Sequence, residues 1–208
     1  VDALHATAES HNRVLVLEPT TTAWMYQGDG AKLKELGDSF FKLLMALETA
    51  QIEYDIGDED VIARHGSLEG KQLRIGNRTY RQVILPPLIE NLDSKTKALL
   101  DRVEVTVTGT KPTRVDGAAL NPSAGSQETL PTEWMSKANS IIAGLQSDQK
   151  NDGFAIERSP VNQGILFHHR RQLADGQILF LVNTSIEHPS SGVVLSSLRG
   201  AECWNLYT

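Results

Sequence analysis

Val14-Leu15-Val16-Leu17, closed by Glu18-Pro19, decides the fold. The run is short, apolar and half β-branched, and polar turn residues follow it. Such a run marks a strand buried on both faces, as in a parallel sheet. Val83-Ile84-Leu85, stopped by Pro86-Pro87, repeats the signature. Between them, Leu33, Leu36, Phe40, Phe41, Leu43, Leu44 and Leu47 recur at three- and four-residue spacing, which predicts a helix. Glu53-Tyr54-Asp55-Ile56 reads as a second strand, and Gly57-Asp58-Glu59-Asp60 as the cap and acidic first turn of a short helix. Leu68 to Arg81 suits a small hairpin around Gly76-Asn77, and Asp93 to Arg102 a further helix. Val103, Val105 and Val107 alternate with polar residues, as in a strand ending at Gly109. Strands alternating with helices imply a parallel sheet covered on both faces. The predicted fold is an open doubly wound α/β domain over residues 12–150, flavodoxin-like or class I glutamine amidotransferase-like.

The remaining segments read less regularly. Residues 18–30 are expected to be a loop, rich in Thr and Gly, and residues 110–130 a second, long one. Trp134 to Leu145 is the expected last helix, and Gln149 to Gly153 a polar boundary. After it the texture is β only. Ile165–Leu173 and Gln177–Asn183 flank Asp175-Gly176, a hairpin signal, and Gly192–Ser197 and Cys203–Tyr207 continue the pattern. Residues 151–208 are therefore expected to begin a β-sandwich that stops short, packed against the α/β domain. Neither terminus looks native: the chain starts at Val1 and ends in a strand-like segment, so the expectation is a segment of a longer protein.

Composition narrows the function without naming it. The chain has 208 residues, 40% of them apolar, and a net charge of −6. Residues 151–208 carry five acids and four Lys or Arg, a balance of −1 that leaves −5 for residues 1–150. Neither part is a basic module, so no nucleic-acid partner is expected. No apolar run approaches the roughly 20 residues of a membrane span. The single Cys203 forbids an internal disulfide and a cysteine zinc cluster, and its apolar strand pattern predicts an inert side chain.

Four groups of residues are candidates for chemistry. Thr20-Thr21-Thr22 follows the first strand, where flavodoxin-like folds hold phosphate. Its glycines, Gly28 and Gly30, come too late for a cradle, Glu18 would repel an anion, and Trp24, Met25 and Tyr26 are bulky. Packing against another domain suits this loop better. Pro86-Pro87 stands where an amidotransferase would carry its nucleophile, so that chemistry has no nucleophile here. The acids Glu53, Asp55, Asp58, Glu59 and Asp60 fit a strand end and a helix N-terminus better than paired-carboxylate catalysis. His168-His169 sit next to each other on a strand and point to opposite faces, so they do not share a metal, and Arg170-Arg171 are expected at the solvent or against interdomain acids. No catalytic residue, metal or cofactor is predicted.

Several blocks resemble glycoside hydrolase family 106, the α-L-rhamnosidases. They are Arg13 to Tyr26, Glu53 to Glu59, Tyr80 to Pro87, and the hairpin from Phe167-His168-His169-Arg170-Arg171 to Leu179-Phe180-Leu181-Val182-Asn183-Thr184. The resemblance spans roughly residues 12–92 and 163–208. It implies a non-catalytic accessory domain of a large periplasmic or extracellular glycosidase that removes terminal rhamnose from plant polysaccharide by an inverting pair of acids. Those acids would lie on a catalytic barrel that this chain does not contain. The barrel is then the expected partner. Glu18, Thr20, Thr21, Thr22, Trp24 and Tyr26 form the candidate interdomain or ligand-facing loop, with Trp24 and Tyr26 facing the barrel. Carbohydrate is a further candidate ligand, through the aromatic faces of Trp24, Tyr26 and Trp134. A small-molecule or nucleotide-binding flavodoxin-like domain is the competing reading.

Overall fold

The computed structural model describes residues 9–10, 12–121 and 133–204. In chain order, β1 (Glu9–Ser10), β2 (Val14–Leu17), α1 (Thr20–Met25), α2 (Gly30–Thr49), β3 (Tyr54–Gly57) and α3 (Glu59–His65) come first. β4 (Gly66–Glu69), β5 (Gln72–Ile75), β6 (Arg78–Tyr80), β7 (Gln82–Leu85), β8 (Asn91–Leu92), α4 (Ser94–Leu100) and β9 (Glu104–Val107) follow. The rest comprises β10 (Arg114–Val115), β11 (Ala118–Ala119), α5 (Trp134–Asn151), β12 (Phe154–Gln163), β13 (Leu166–Gln172), β14 (Gln177–Asn183) and β15 (Ser190–Ser196). Two compact units result: residues 12–143, and residues 144–208 together with the first eleven.

The first unit is built on a four-stranded parallel sheet in the order β3-β2-β7-β9. The two apolar runs are its central strands, and all of Val14 to Leu17 is buried. Along each strand successive side chains alternate faces. Leu15, Leu17, Val83 and Leu85 form one cluster with Ile62 of α3 and Leu100 of α4. Val14, Val16 and Ile84 point to the other face. α2 forms the crossover from β2 to β3 and buries Leu36, Leu43 and Leu47. Asp29 caps α2 by accepting from the Ala31 and Lys32 amides, and Asp58 and Asp93 cap α3 and α4 in the same way. The meander β4-β5-β6 turns at Gly70 and Gly76, both with positive φ, and sends Leu73 and Tyr80 into the cluster. At the end of the sheet β7 and β9 converge. A Cβ on Gly109 would lie 2.0 Å from the Pro87 carbonyl oxygen, so only glycine fits.

The second unit holds a three-stranded sheet, β1-β13-β14, and a two-stranded one, β12-β15. The Asp-Gly hairpin forms as expected, with Leu166 opposite Asn183 and Gln172 opposite Gln177.

The structure corrects the sequence reading at several places. Residues 20–25 are helical rather than loop: Pro19 supplies the first carbonyl, which accepts from the Ala23 amide. The 110–130 loop contains the hairpin β10-β11, turned at Asp116-Gly117, and β10 extends parallel to β8. The rest of that loop, residues 122–130, lies outside the described residues, as do 205–207 of the expected last strand. Cys203 and Trp204 belong to no strand, and Cys203 is exposed, so its burial in an apolar strand does not occur. β12, absent from the expected strands, contains Pro160, which cannot donate to a ladder, and its pairing with β15 shifts register between Arg158 and Gln163. Arg170 is not solvent-facing: it is buried, with its guanidinium 4.0 Å over the Phe154 ring.

Candidate functional site

The order β3-β2-β7-β9 means that the chain first crosses from β2 to β3, then returns over β2 to β7. Strand order thus reverses between β2 and β7. In open α/β sheets ligands collect at this point, beyond the carboxyl ends of the strands. Here the segments 18–29 after β2 and 86–93 after β7 meet there, joined by the N-terminus of α3.

The three threonines all engage groups of the chain itself. Thr20 Oγ1 donates to Asp58 Oδ2 at 3.1 Å. Thr22, fully buried, accepts from the Glu90 and Asn91 amides through Oγ1, each at 3.0 Å. Thr21 turns to Glu59: its hydroxyl lies 2.6 Å from Oε1 and its amide donates to the same oxygen at 3.3 Å. The other Glu59 oxygen, Oε2, accepts from the Asp93 amide at 2.7 Å. Glu59 is 2% exposed. Burial pushes its carboxyl above the usual range, against the pull of its hydrogen bonds to Thr21 and Asp93. A carboxylate of the protein therefore takes the amides that would receive an external anion.

A second polar group lies beside the first. Tyr26 donates its phenol proton to Glu90 Oε2, and Arg114 Nε donates to Oε1 at 3.1 Å. The hydrogen bond to Glu90, followed by burial, raises the Tyr26 phenol to about 12. Glu90 is buried and its backbone oxygen also accepts from the Thr113 and Arg114 amides, which ties β10 to this end of the sheet.

The predicted loop residues part company here. Thr20, Thr21, Thr22 and Tyr26 bond within the unit. Glu18 and Trp24 face outward, Trp24 at 59% exposure. Of the acids, Asp55 accepts from Asn12, Arg78 and Tyr80, Asp58 caps α3, and Asp60 pairs with Arg64 one turn on. These are the structural roles expected of them. Glu59 stands in the first turn of α3, the place expected of it, but it is buried there and bonded to Thr21 and Asp93. The Glu90–Arg114 pair has no local signature: its members are 24 residues apart, and residues 110–130 carry the composition of a loop. His168 lies 5.8 Å from the Phe154 ring, centroid to centroid. Among the described residues no three of His, Cys, Asp and Glu are grouped to hold a metal ion, and no helix is long and apolar enough to cross a membrane.

The site and sheet order define an α/β unit of doubly wound type. No protein-family model matches the chain, and no curated protein matches it. Among solved structures, one similar to it is that of a rhamnosidase from Novosphingobium sp. PP1Y. Identity is 19% and the TM-score 0.38, over 62% of this chain and 14% of the rhamnosidase. The chain thus spans a small fraction of that enzyme's length.

Proposed function

We propose that this chain is a non-catalytic accessory part of a larger, secreted glycoside hydrolase, acting outside the cytoplasm on rhamnose-bearing plant polysaccharide. It comprises an α/β domain over residues 12–150 and the start of a β-sandwich over 151–208. Its partner is the catalytic barrel of the same polypeptide. The resemblance of Arg13–Tyr26, Glu53–Glu59 and Tyr80–Pro87 to the α-L-rhamnosidases supplies the enzyme class.

One observation carries the accessory role. The anion-binding end of the sheet is filled by Glu59, whose two oxygens accept from Thr21 and Asp93. A nucleotide or flavin phosphate brought there meets a buried carboxylate instead of free amides. This favours a scaffold over a nucleotide-binding module. The outward-facing Trp24 suits docking on a neighbouring domain, as large aromatics anchor such contacts.

Two measurements test the reading. The purified chain is expected to release no nitrophenol from aryl-rhamnoside or aryl-galactoside at high protein concentration. Flavin mononucleotide titrated against tryptophan fluorescence is expected to give no saturable change. Turnover abolished by replacing a single carboxylate of this chain, or a micromolar flavin isotherm, would overturn it.

A further inference from the structure

Glu59 and Glu90, both buried at the strand-order reversal, are matched differently. Glu90 Oε1 accepts from the Arg114 guanidinium at 3.1 Å. Glu59 has no cation paired with it among the described residues; the charged side chain that acts on it is Asp93, of like sign. A buried carboxylate without a cation is costly, and such a group avoids the cost by keeping its proton.

The hydrogen bonds around Thr21 give that proton a place. The Thr21 hydroxyl lies 2.6 Å from Glu59 Oε1 and 3.1 Å from the Asn91 carbonyl oxygen. A hydroxyl has one proton and serves one of these oxygens. If it donates to Glu59, its own oxygen faces the Asn91 carbonyl, acceptor against acceptor. A carbonyl has no proton to offer, whereas a carboxylic acid has one. With the proton on Glu59 Oε1, Glu59 donates to Thr21 Oγ1 and Thr21 donates to Asn91, so both contacts become hydrogen bonds. Glu59 Oε2 is then the carbonyl oxygen and still accepts from the Asp93 amide at 2.7 Å.

The neighbouring elements agree with a neutral acid. α1 has no titratable side chain and faces Glu59 with Thr21. At the start of α4 stands the Asp93 carboxylate, which opposes ionisation of Glu59. Before β8, the Glu90 side chain is turned to Tyr26 and Arg114. On α3 itself, Asp58 caps the helix and accepts from Thr20, and Asp60 pairs with Arg64. The amides of Thr21 and Asp93 pull toward the anion, but burial outweighs them.

We propose that Glu59 is a proton switch on α1. Protonated, it passes a hydrogen bond through Thr21 to Asn91 and ties α1 to the segment after β7. Ionised, with its proton lost to water, it draws the Thr21 hydroxyl to itself and leaves the Asn91 carbonyl to Thr22, whose hydroxyl lies 3.3 Å away. Thr22 also keeps the Glu90 and Asn91 amides, so α1 loosens without detaching. α1 carries the exposed Trp24, so the switch reaches the surface given above to docking. That consequence rests on the accessory reading; the proton rests on the hydrogen bonds alone.

NMR of the whole chain, followed from about pH 3 to pH 8, tests it. The Glu59 side-chain carboxyl carbon is expected to titrate with a midpoint above those of the exposed carboxyls. The amides of Thr21 and of Leu92, which follows the Asn91 carbonyl, are expected to shift with that same midpoint. At about pH 6, where exposed carboxyls are ionised, the infrared carbonyl stretch of a protonated acid is expected in the wild type and lost in Glu59→Gln. The amide titration uses the unaltered chain and stands even where Glu59→Gln does not fold. A Glu59 midpoint among those of the exposed carboxyls overturns the proposal. So does a Leu92 amide that stays still while Glu59 titrates. Either failure removes the switch and leaves the accessory reading to the turnover assay; turnover by the chain would remove the accessory reading and leave the proton in place.

Discussion

The two compact units spend their apolar residues differently. In residues 12–143 the strands β2 and β7 are uncharged and bury nearly every side chain, and helices complete the layers. In residues 144–208 the strands β12 and β13 carry charges, while the uncharged β14 and β15 stay largely open. β14 (QILFLVN) and β15 (SSGVVLS) carry no charge, and Leu181, Val182, Val193 and Val194 are all exposed. Both strands end their sheets among the described residues. Natural edge strands normally guard themselves with charge, proline or a covering element. Uncharged strands therefore lie in a closed core in one unit and at exposed sheet edges in the other.

The most direct way to break this comparison is to separate the units. A fragment of residues 12–143 is expected to unfold cooperatively in urea. A fragment of residues 144–208 is expected to show no thermal transition by circular dichroism, since two small sheets without a covering layer bury too little. A sharp transition in the second fragment would mean that its exposed apolar residues do not report a missing layer.

Next in size is the buried carboxylate. Glu59→Ala leaves the Asp93 amide without its acceptor and is expected to cost roughly 1–3 kcal/mol. The pH dependence gives a finer test through Glu59→Gln. The folded carboxyl is raised above its unfolded value by burial, so the native state holds the proton more tightly. Stability from this group is present below the unfolded value and lost as pH rises through the raised one. The wild type is thus expected to gain on Glu59→Gln as pH falls toward 4, followed by urea midpoints. A difference that moves the other way would mean that Glu59 is held as a favoured anion.

A smaller effect sits at the neighbouring carboxylate. Tyr26 is neutral in the fold and its phenol is raised to about 12, chiefly by its bond to Glu90. Its contribution is complete below the ordinary phenol value of 10.0 and is lost as pH rises through about 12. Tyr54 and Tyr80 are raised as well, mainly by burial, and each donates to a carboxylate, Glu48 and Asp55. Ultraviolet titration is expected to show these phenols ionising late. Tyr26→Phe is expected to cost about 1 kcal/mol or less, because the site is partly exposed.

These experiments also mark what was legible in the residues. The parallel strands and α2 announce themselves, because burial on both faces and on one helical stripe leaves local patterns. The cap Asp58 is legible from the acidic residues that follow it, whereas Asp93 reads as the first residue of its helix and is in fact its cap. The site is not, because its hydrogen bonds join residues far apart: Thr21 to Glu59 spans 38 positions and Thr22 to Asn91 spans 69. Three consecutive threonines read as a loop, since β-branched residues with hydroxyls compete poorly for helix. They are helical here because Glu59 and the amides of Glu90 and Asn91 engage their polar groups. The burial of Arg170 is not legible either, because the Phe154 ring beneath it lies 16 positions away and leaves no local signature.

The smallest expected effect concerns Trp24. It projects from α1 at 59% exposure, while its neighbours Thr21 and Thr22 face inward on hydrogen bonds. Removing a side chain that buries so little should leave this chain nearly unchanged, and alanine suits a helix better than tryptophan. Trp24→Ala is therefore expected to shift the unfolding free energy by at most about 0.5 kcal/mol. The comparison sharpens when the same substitution is made in a longer polypeptide that carries the catalytic domain proposed above. If Trp24 docks there, the cost rises to roughly 1–3 kcal/mol, the size expected of a buried aromatic anchor. Differential calorimetry of both proteins separates the cases. A loss well above 0.5 kcal/mol in this chain alone would place Trp24 in the unit's own packing. An unchanged transition in the longer protein would take the docking role from α1 and leave the open β sheets as the surface that needs a neighbour.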